Sequence, residues 1–494
     1  MPASTNFSGF VPTNIELLRF APELILSAAG TLLMVLDPFF GGDSRKPSKL
    51  FGHISIIAFL VALVGAIQAN SVAGPAFSSL LIVDGFATYF RVLVLMVGVF
   101  AVLSSYLYLE RESADTCEYH ALLLFSVAGQ CLMVSANDLI MIFLGLEISS
   151  IASYVLAGYL RNDRRNNESA LKYFLLGSFA TGFLLYGVSI IYGVTGTTKL
   201  DEIRTFLAAP GAPLGYVGLA AALMLVGLGF KVSGAPFQVW APDVYQGAPA
   251  PVSAFMATAP KAAAFAIFLR IFVTDFDKIG SSWEPLIWMS ALLSMTIGNF
   301  AALTQTNIKR MLAYSSIAHA GYLLVAIAAR SEIGTAAAMF YLAAYSLMNI
   351  GAFAVVIHIC GKGERNVQIS DLAGLGQKQP VTAALLTVFV LSLIGVPLTG
   401  GFFGKFYIFR SALESHLVWL AVLGLLNSAV AAYYYLRLLV VMYMHEPSTA
   451  TESLEPLTPG LGLALLLPAL GTVFLGIAPG AVVAAASAGA ALTK

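Results

Sequence analysis

Cysteine is nearly absent from this chain: three occur in 494 residues, Cys117, Cys131 and Cys360. No two are spaced C-x-x-C and none opens C-x-x-C-H, which argues against an iron–sulfur cluster or covalent haem on this chain. Charge is equally scarce. Charged residues make up 11% of the sequence, against about 25% in a soluble domain, so a water-soluble fold is excluded. The 26 basic and 26 acidic residues balance to zero, and nothing in that balance points to nucleic acid or an acidic surface as partner. Met1 to Thr13 lacks a basic stretch leading into a short apolar run and a cleavage site. Insertion is therefore expected to follow the first span rather than a removable signal peptide.

What fills the chain is apolar sequence, 59% by residue. Runs of the roughly 20 residues that cross a bilayer recur throughout, about fourteen in all. Their expected limits are 16–36, 51–69, 83–109, 119–136, 138–160, 169–194, 214–245, 251–273, 284–304, 309–329, 333–360, 381–413, 417–443 and 459–481. The fold class expected is thus an all-α membrane protein. The seventh and twelfth spans are over-long and interrupted by Gly and Pro, and such breaks must be buried in protein or line a hydrated cavity.

The segment YFLLGSFATG from Tyr173 resembles YLAAYSLMNI from Tyr341, and one interrupted span follows each. The two interruptions are five spans apart, and an odd offset inverts the second copy in the membrane. The organisation expected is helices 1–3 in residues 1–117, a first repeat in 118–275 with broken helix 7, an inverted second repeat in 276–445 with broken helix 12, and a last helix in 446–494. Arg45, Lys46, Lys49, Arg111, Arg161, Arg164, Arg165, Lys309, Arg310, Lys362, Arg365 and Lys378 fall on one side of the spans. The other side has few, chiefly Lys199, Arg204, Lys278 and Arg330. The basic side is expected to face the cytoplasm and both termini the periplasm.

Ionisable groups inside a bilayer are costly and mark function by default. Glu147 sits in the middle of LIMIFLGLEISSIASYVLAGY, Lys261 in the middle of PVSAFMATAPKAAAFAIFLR, and His319 in the middle of the tenth span. Lys231 lies at the break of the seventh span, in GFKVSGAPFQVW, and Lys405 follows the break GVPLTGGFFGK of the twelfth. A lysine near a helix end ordinarily snorkels to the interface; that reading covers Lys309 and competes for Lys172. Glu147 also suits an ion pair that orients helices, and His319 suits packing as well as proton carriage. Burial disfavours the charged form of Glu and Lys alike, and a nearby opposite charge restores it. A Glu–Lys contact that forms and breaks would switch a lysine between holding and releasing a proton. A haem protein using His319 and His358 is disfavoured, because the two lie on different spans.

At this point the residues resemble a known family. GFKVSGAPFQVWAPDVYQGAPAPVSAFMATAPKAAAFA, Gly229 to Ala266, is similar to the signature of the antiporter-like subunits shared by respiratory complex I and the multi-subunit sodium/proton antiporters. PDVYQGAP, together with IKRMLAYSSIAHAGYLL from Ile308 to Leu324, is most similar to the subunit N branch. The resemblance implies that Glu147 is the acidic residue of the fifth helix, paired in the family with a lysine of the sixth or seventh. It implies that Lys231 is the broken-helix lysine, Lys261 the connecting lysine of the eighth helix, and Lys405 the twelfth-helix lysine. Lys172 matches an additional sixth-helix lysine. Gln238 stands where many members carry His, so no imidazole role is carried to that position.

The implied activity is proton export across a bacterial inner membrane, coupled to quinone reduction by NADH. NADH, FMN, iron–sulfur clusters and quinone, ubiquinone among the candidates, are expected in partner subunits, and no cofactor on this chain. The expected partners are the antiporter-like subunit M, small subunits such as K, and the long lateral helix of subunit L. A cation/proton antiporter or a membrane-bound hydrogenase built on the same module is the alternative.

Overall fold

The computed structural model describes residues 12–40 and 49–491, with side chains from 37 to 40 left aside. Apart from one small hairpin, β1 (Gly74–Ala76) paired antiparallel with β2 (Leu81–Val83), these residues build helices. A short α1 (Asn14–Arg19) leads into α2 (Ala21–Phe40), α3 (Lys49–Ser71), α4 (Gly85–Glu112), α5 (Cys117–Ser135), α6 (Leu139–Ala157) and α7 (Arg164–Thr195). The amphipathic α8 (Leu200–Ala208) precedes α9 (Leu214–Val232), α10 (Trp240–Gly247), α11 (Ala250–Met256), α12 (Ala259–Phe268) and a π-helical stretch, Leu269–Asp275. Then come α13 (Gly280–Leu303), α14 (Ile308–Ala328), α15 (Glu332–Ile359), the four-residue α16 (Leu375–Lys378), α17 (Pro380–Ile394) and α18 (Gly400–Glu414). The chain closes with α19 (Val418–Met444), α20 (Thr449–Glu452), α21 (Pro459–Ile477) and α22 (Gly480–Ala491).

Twelve helical stretches among the described residues are long and apolar enough to cross a membrane, fewer than the fourteen spans read from sequence. For the twelfth span the difference has a geometric origin. The twelfth span is divided into α17 and α18 of 15 residues each, about 22 Å apiece at 1.5 Å per residue, short of the roughly 30 Å hydrocarbon core. The first span begins later than read, at Ala21, and its helix α2 runs 20 residues to Phe40; it stands outside the twelve because only its side chains to Leu36 are described. The hairpin and α22 were not read from sequence at all.

Polar side chains fix where helices start. Asp84, Asp138, Asp163, Asn307 and Ser331 each accept from a backbone N–H of the following first turn, opening α4, α6, α7, α14 and α15, and such caps satisfy donors a helix leaves free. The connections gather in two rims. At the first rim Lys49 pairs with Glu110 at 3.3 Å, Arg111 with Glu455 at 3.2 Å, and Arg165 donates to the Gly363 carbonyl at 3.0 Å. At the second, Arg19 donates to the Val72 carbonyl, Asn137 N to the Leu80 carbonyl, and Arg330 pairs with Asp277. The first rim collects the basic residues read as one side; Arg45 and Lys46 lie outside the described residues. α22 returns to the second rim, where Gly489 packs on Gly85 and Phe86.

Two ion pairs near the second rim fasten the bundle. Arg91 of α4 and Glu23 of α2 meet at 2.6 Å, both buried, and Arg91 also donates to the Arg19 carbonyl. Arg270, in the π-helical stretch, pairs with Asp84 at 3.1 Å. α5 and α6 pack backbone to backbone: a Cβ on Gly129 would stand 2.7 Å from the Gly145 carbonyl, and one on Gly145 2.8 Å from the Gly129 carbonyl. Small residues permit such an approach between apolar helices, and it brings Ser126, Gln130, Ser149 and Ser153 into one buried hydrogen-bonded cluster.

A row of interior lysines

α9 stops at Lys231–Val232 because Ser233 turns left-handed (φ 58°), with Gly234 N closing onto the Gly229 carbonyl at 2.8 Å, a helix-ending geometry. The extended backbone that follows is satisfied by α13: Ala235 N donates to Ser294 Oγ at 2.7 Å, and Ser290 Oγ donates to the Ala235 carbonyl at 2.5 Å. Trp240 then opens α10 and folds back, its indole N–H donating to the Phe230 carbonyl at 3.0 Å. Lys231 thereby borders a small cavity that Trp240 and Tyr173 also line, their rings stacked at 4.5 Å. Its Nζ donates to Ser150 Oγ at 2.7 Å and Tyr154 Oη at 3.1 Å.

Glu147, Ser150 and Tyr154 share one face of α6 at helical spacing. Glu147 makes no contact with Lys231 short enough for an ion pair; its Oε1 is buried without a hydrogen-bond partner. On its other side it borders the outward stripe of Leu144, Ile148 and Ile151. A cavity of about 20 Å³ lies beside Lys231, bounded by Ser149, Ser150, Ser153, Met256 and Pro260. Pro260 adjoins Lys261, so the cavity links the first lysine to the first turn of α12.

Lys261 is 2% exposed and donates to the Ser316 carbonyl at 3.0 Å and to the Ser316 hydroxyl. One turn on along α14, His319 is buried between two phenols: its Nδ1 lies 2.5 Å from Tyr341 Oη and its Nε2 3.2 Å from Tyr435 Oη. A turn further, the Tyr322 ring lies 4.8 Å beneath Lys405 Nζ. Ser316, His319 and Tyr322 thus make a polar stripe that runs from Lys261 to Lys405. Lys405 itself docks on the end of α17, donating to the Leu393 and Ile394 carbonyls at 3.0 and 2.8 Å and to Ser428 Oγ at 2.8 Å. Gly395, with φ 94°, ends that helix where a Cβ would approach Lys405 Cδ to 3.1 Å.

Lys231, Lys261 and Lys405 share one property: their hydrogen-bond partners are neutral. Among the described residues the other buried cations, Arg91, Arg270 and Lys309, each pair with a carboxylate, and nearer the surface Lys172 and Arg310 do so too. Lys172 bridges Glu168 at 2.7 Å and Asp243 at 2.8 Å, and Arg310 meets the same Asp243 at 2.6 Å. These groups line an open cleft of about 260 Å³ at the first rim, so the structure does not bring Lys172 to Glu147. Lys309, read as a snorkelling lysine, is fully buried instead and pairs with Glu364 at 2.6 Å.

The polar groups that hold the lysines, Ser150, Tyr154, Ser316, Tyr322 and Ser428, were not singled out from sequence. Ser150, Ser316 and Tyr322 lie three residues from Glu147 or His319 and Tyr154 seven from Glu147, whereas Ser428 carries no such signal. Among the described residues no cluster of three or more His, Cys, Asp or Glu side chains is arranged to hold a metal.

Comparison with known proteins gives this geometry its setting. Residues 136–431 match the family model described as NADH:quinone oxidoreductase/Mrp antiporter, TM. The chain is 66% identical over 450 residues to NADH-quinone oxidoreductase subunit N 1 of Solibacter usitatus, covering 91% of this chain and 92% of that one. Among solved structures it is similar to a chain of respiratory complex I from Thermus thermophilus with bound aureothin. There the TM-score is 0.81 and the identity 35%, over 94% of this chain and 99% of that one. A chain of the Mrp complex from Dietzia sp. shares the fold, with a TM-score of 0.83 at 21% identity over 96% of this chain and 97% of that one. The protein is therefore an antiporter-like, many-spanning membrane subunit of the NADH:quinone oxidoreductase/Mrp class. Within that class it belongs to the NADH-quinone oxidoreductase subunit N family, a membrane subunit of complex I.

Proposed function

We propose that this chain translocates protons through Glu147, Lys231, Lys261, His319 and Lys405, coupled to NADH-driven quinone reduction in partner subunits. The observation that carries the reading is the contrast between paired structural cations and three interior lysines with only neutral partners. An ammonium in a low-dielectric interior without a counter-ion is held at high cost. Its charged and neutral forms then lie close in free energy, and a carboxylate drawn near tips the balance. Glu147, with one oxygen unpartnered a turn from the Ser150 that holds Lys231, is placed to supply that charge.

The remaining steps run along contacts already described. The cavity beside Lys231 is about 20 Å³, enough for one water by the roughly 10–15 Å³ criterion, and a water there bridges towards Lys261. Ser316, His319 and its two tyrosines extend the series to Lys405. Lys172, with Asp243 and Arg310, forms its first-rim end. The interruptions after Val232 and Ile394 support the reading of two inverted five-helix repeats, in 118–275 and 276–445, following helices in 1–117 and preceding a last helix in 446–494.

The concentration of basic residues at the first rim supports a cytoplasmic orientation for that rim and a periplasmic one for the ends of the chain, in a bacterial inner membrane. NADH, FMN, iron–sulfur clusters and quinone belong to partner subunits in this reading. Subunits M and K and the lateral helix of L are the proposed neighbours.

The test is proton pumping measured beside NADH:quinone turnover in vesicles carrying assembled complex with Glu147→Gln, which removes charge and keeps shape. Loss of both activities is expected. Retention of both would reduce Glu147 to a packing residue and remove the switch.

A further inference from the structure

At the first rim, apart from the relay, a buried ion pair sits in an unusual loop. α15 ends at Ile359, and the chain turns through Gly361, Gly363 and Glu364, at φ 65°, 69° and 49°. A non-glycine residue adopts that left-handed conformation at a cost, so Glu364 is held there by its surroundings. Two neighbouring helices grip the loop, and it also closes on itself. Gly363 N donates to Glu112 at 2.5 Å, Arg165 donates to the Gly363 carbonyl, and Asn366 N closes onto the Cys360 carbonyl at 3.0 Å.

From this loop the Glu364 carboxylate reaches inward with both oxygens engaged. Oε2 accepts from Lys309 at 2.6 Å and Oε1 from the backbone N–H of Ala250 at 2.6 Å. Lys309 also donates to the Ala248 carbonyl at 2.6 Å. Ala248 and Ala250 flank Pro249 in the joint between α10 and α11. The ion pair therefore clamps that joint by one carbonyl and one N–H, with a cation on the first and an anion on the second.

We propose that Lys309 and Glu364 are positioning residues that fix the α10–α11 joint and, through it, the enclosure of Lys231. The inference rests on the relay reading. α10 carries Trp240 and α11 carries Met256, and both line the cavity beside Lys231. Neither Lys309 nor Glu364 touches Lys231. Their effect passes through two short helices whose joint holds a proline and so lacks one backbone donor of its own. The clamp also ties the loop after α15, in the second proposed repeat, to the wall of the site in the first.

The experiment uses assembled complex with Glu364→Gln. Gln offers one acceptor where two donors converge, so one of the two is left unpaired. Backbone hydrogen exchange over 239–256 should rise at least about fivefold relative to the same chain's 269–284, with pumping per assembled complex down roughly threefold or more. Lys309→Arg, which keeps donors for both acceptors, should hold exchange and pumping near those of the unsubstituted complex. Glu455→Gln, at the exposed first-rim pair, should leave both unchanged. Where Glu364→Gln fails to assemble, Glu364→Asp gives the same readings at smaller size.

Unchanged exchange over 239–256 overturns the clamp, and raised exchange with full pumping overturns its role in positioning. Lys231→Met is run alongside: full pumping in that variant sinks the relay reading, while the exchange result still decides whether the clamp holds the joint.

Discussion

Lys231 and Ser150 meet at 2.7 Å, three residues along α6 from a glutamate whose own carboxylate reaches no cation. The lysine thus rests on hydroxyls of the same helix that carries its proposed counter-ion. In the proposed relay it exchanges the one partner for the other.

Lys231→Ala should lower proton pumping and coupled NADH oxidation together in assembled complex, because the carrier at the break is gone. Ser150→Ala removes one neutral hydrogen bond, worth about 1 kcal/mol, so its effect should stay within roughly tenfold. Parallel initial-rate and pumping measurements check both. Normal activity in Lys231→Ala would remove it from the series.

Lys405 should tolerate a titratable replacement better than an inert one. Lys405→Glu is expected to pump more than Lys405→Ala. The Leu393 and Ile394 carbonyls accept from position 405, so the glutamate fits only when protonated and able to donate. Pumping by Lys405→Glu should therefore improve as the pH is lowered from mildly alkaline to mildly acidic, while Lys405→Ala shows no such gain. Equal losses at every pH would count against proton carriage there.

Arg91→Met should act on assembly rather than on coupling. It leaves Glu23 buried without its 2.6 Å partner, and breaking such a pair costs about 3–5 kcal/mol. Less subunit in the membrane and a lower unfolding temperature are expected, with an unchanged ratio of protons pumped to NADH oxidised in what assembles. A changed ratio would place Arg91 in the relay.

Lys172→Gln should be the mildest of the lysine variants. Its side chain is 40% exposed and its two ion pairs are open to solvent, where such pairs contribute about 0–1 kcal/mol. Turnover and pumping should fall by less than about fivefold. A loss as large as that of Lys231→Ala would show that proton uptake depends on this residue.

Much of this architecture was legible in the sequence because hydropathy and span length are read directly from residue type. The interior positions of Lys231, Lys261, Lys405 and His319 followed from the apolar runs around them. Lys309 was misread because a lysine two residues into a helix ordinarily reaches water, and its partner Glu364 lies 55 residues away in a loop. Ser150, Ser316 and Ser428 were invisible for a different reason. Serine is common in membrane helices, and only the fold decides which hydroxyl faces an ammonium. The break between α17 and α18 was legible as the Gly- and Pro-rich interruption GVPLTGGFFGK, but a hydropathy count over 381–413 does not register that each half is too short to cross by itself.

The docking of Lys405 on the last carbonyls of α17 makes the joint between α17 and α18 sensitive to the relay's own cargo. The C-terminal end of a helix attracts a cation by about 0.3–1 kcal/mol, more when partly buried. If Lys405 carries the proton, its departure removes that attraction while leaving the amine in place. The stiffness of the hinge then tracks occupancy, and each passing proton briefly unlatches the two half-helices.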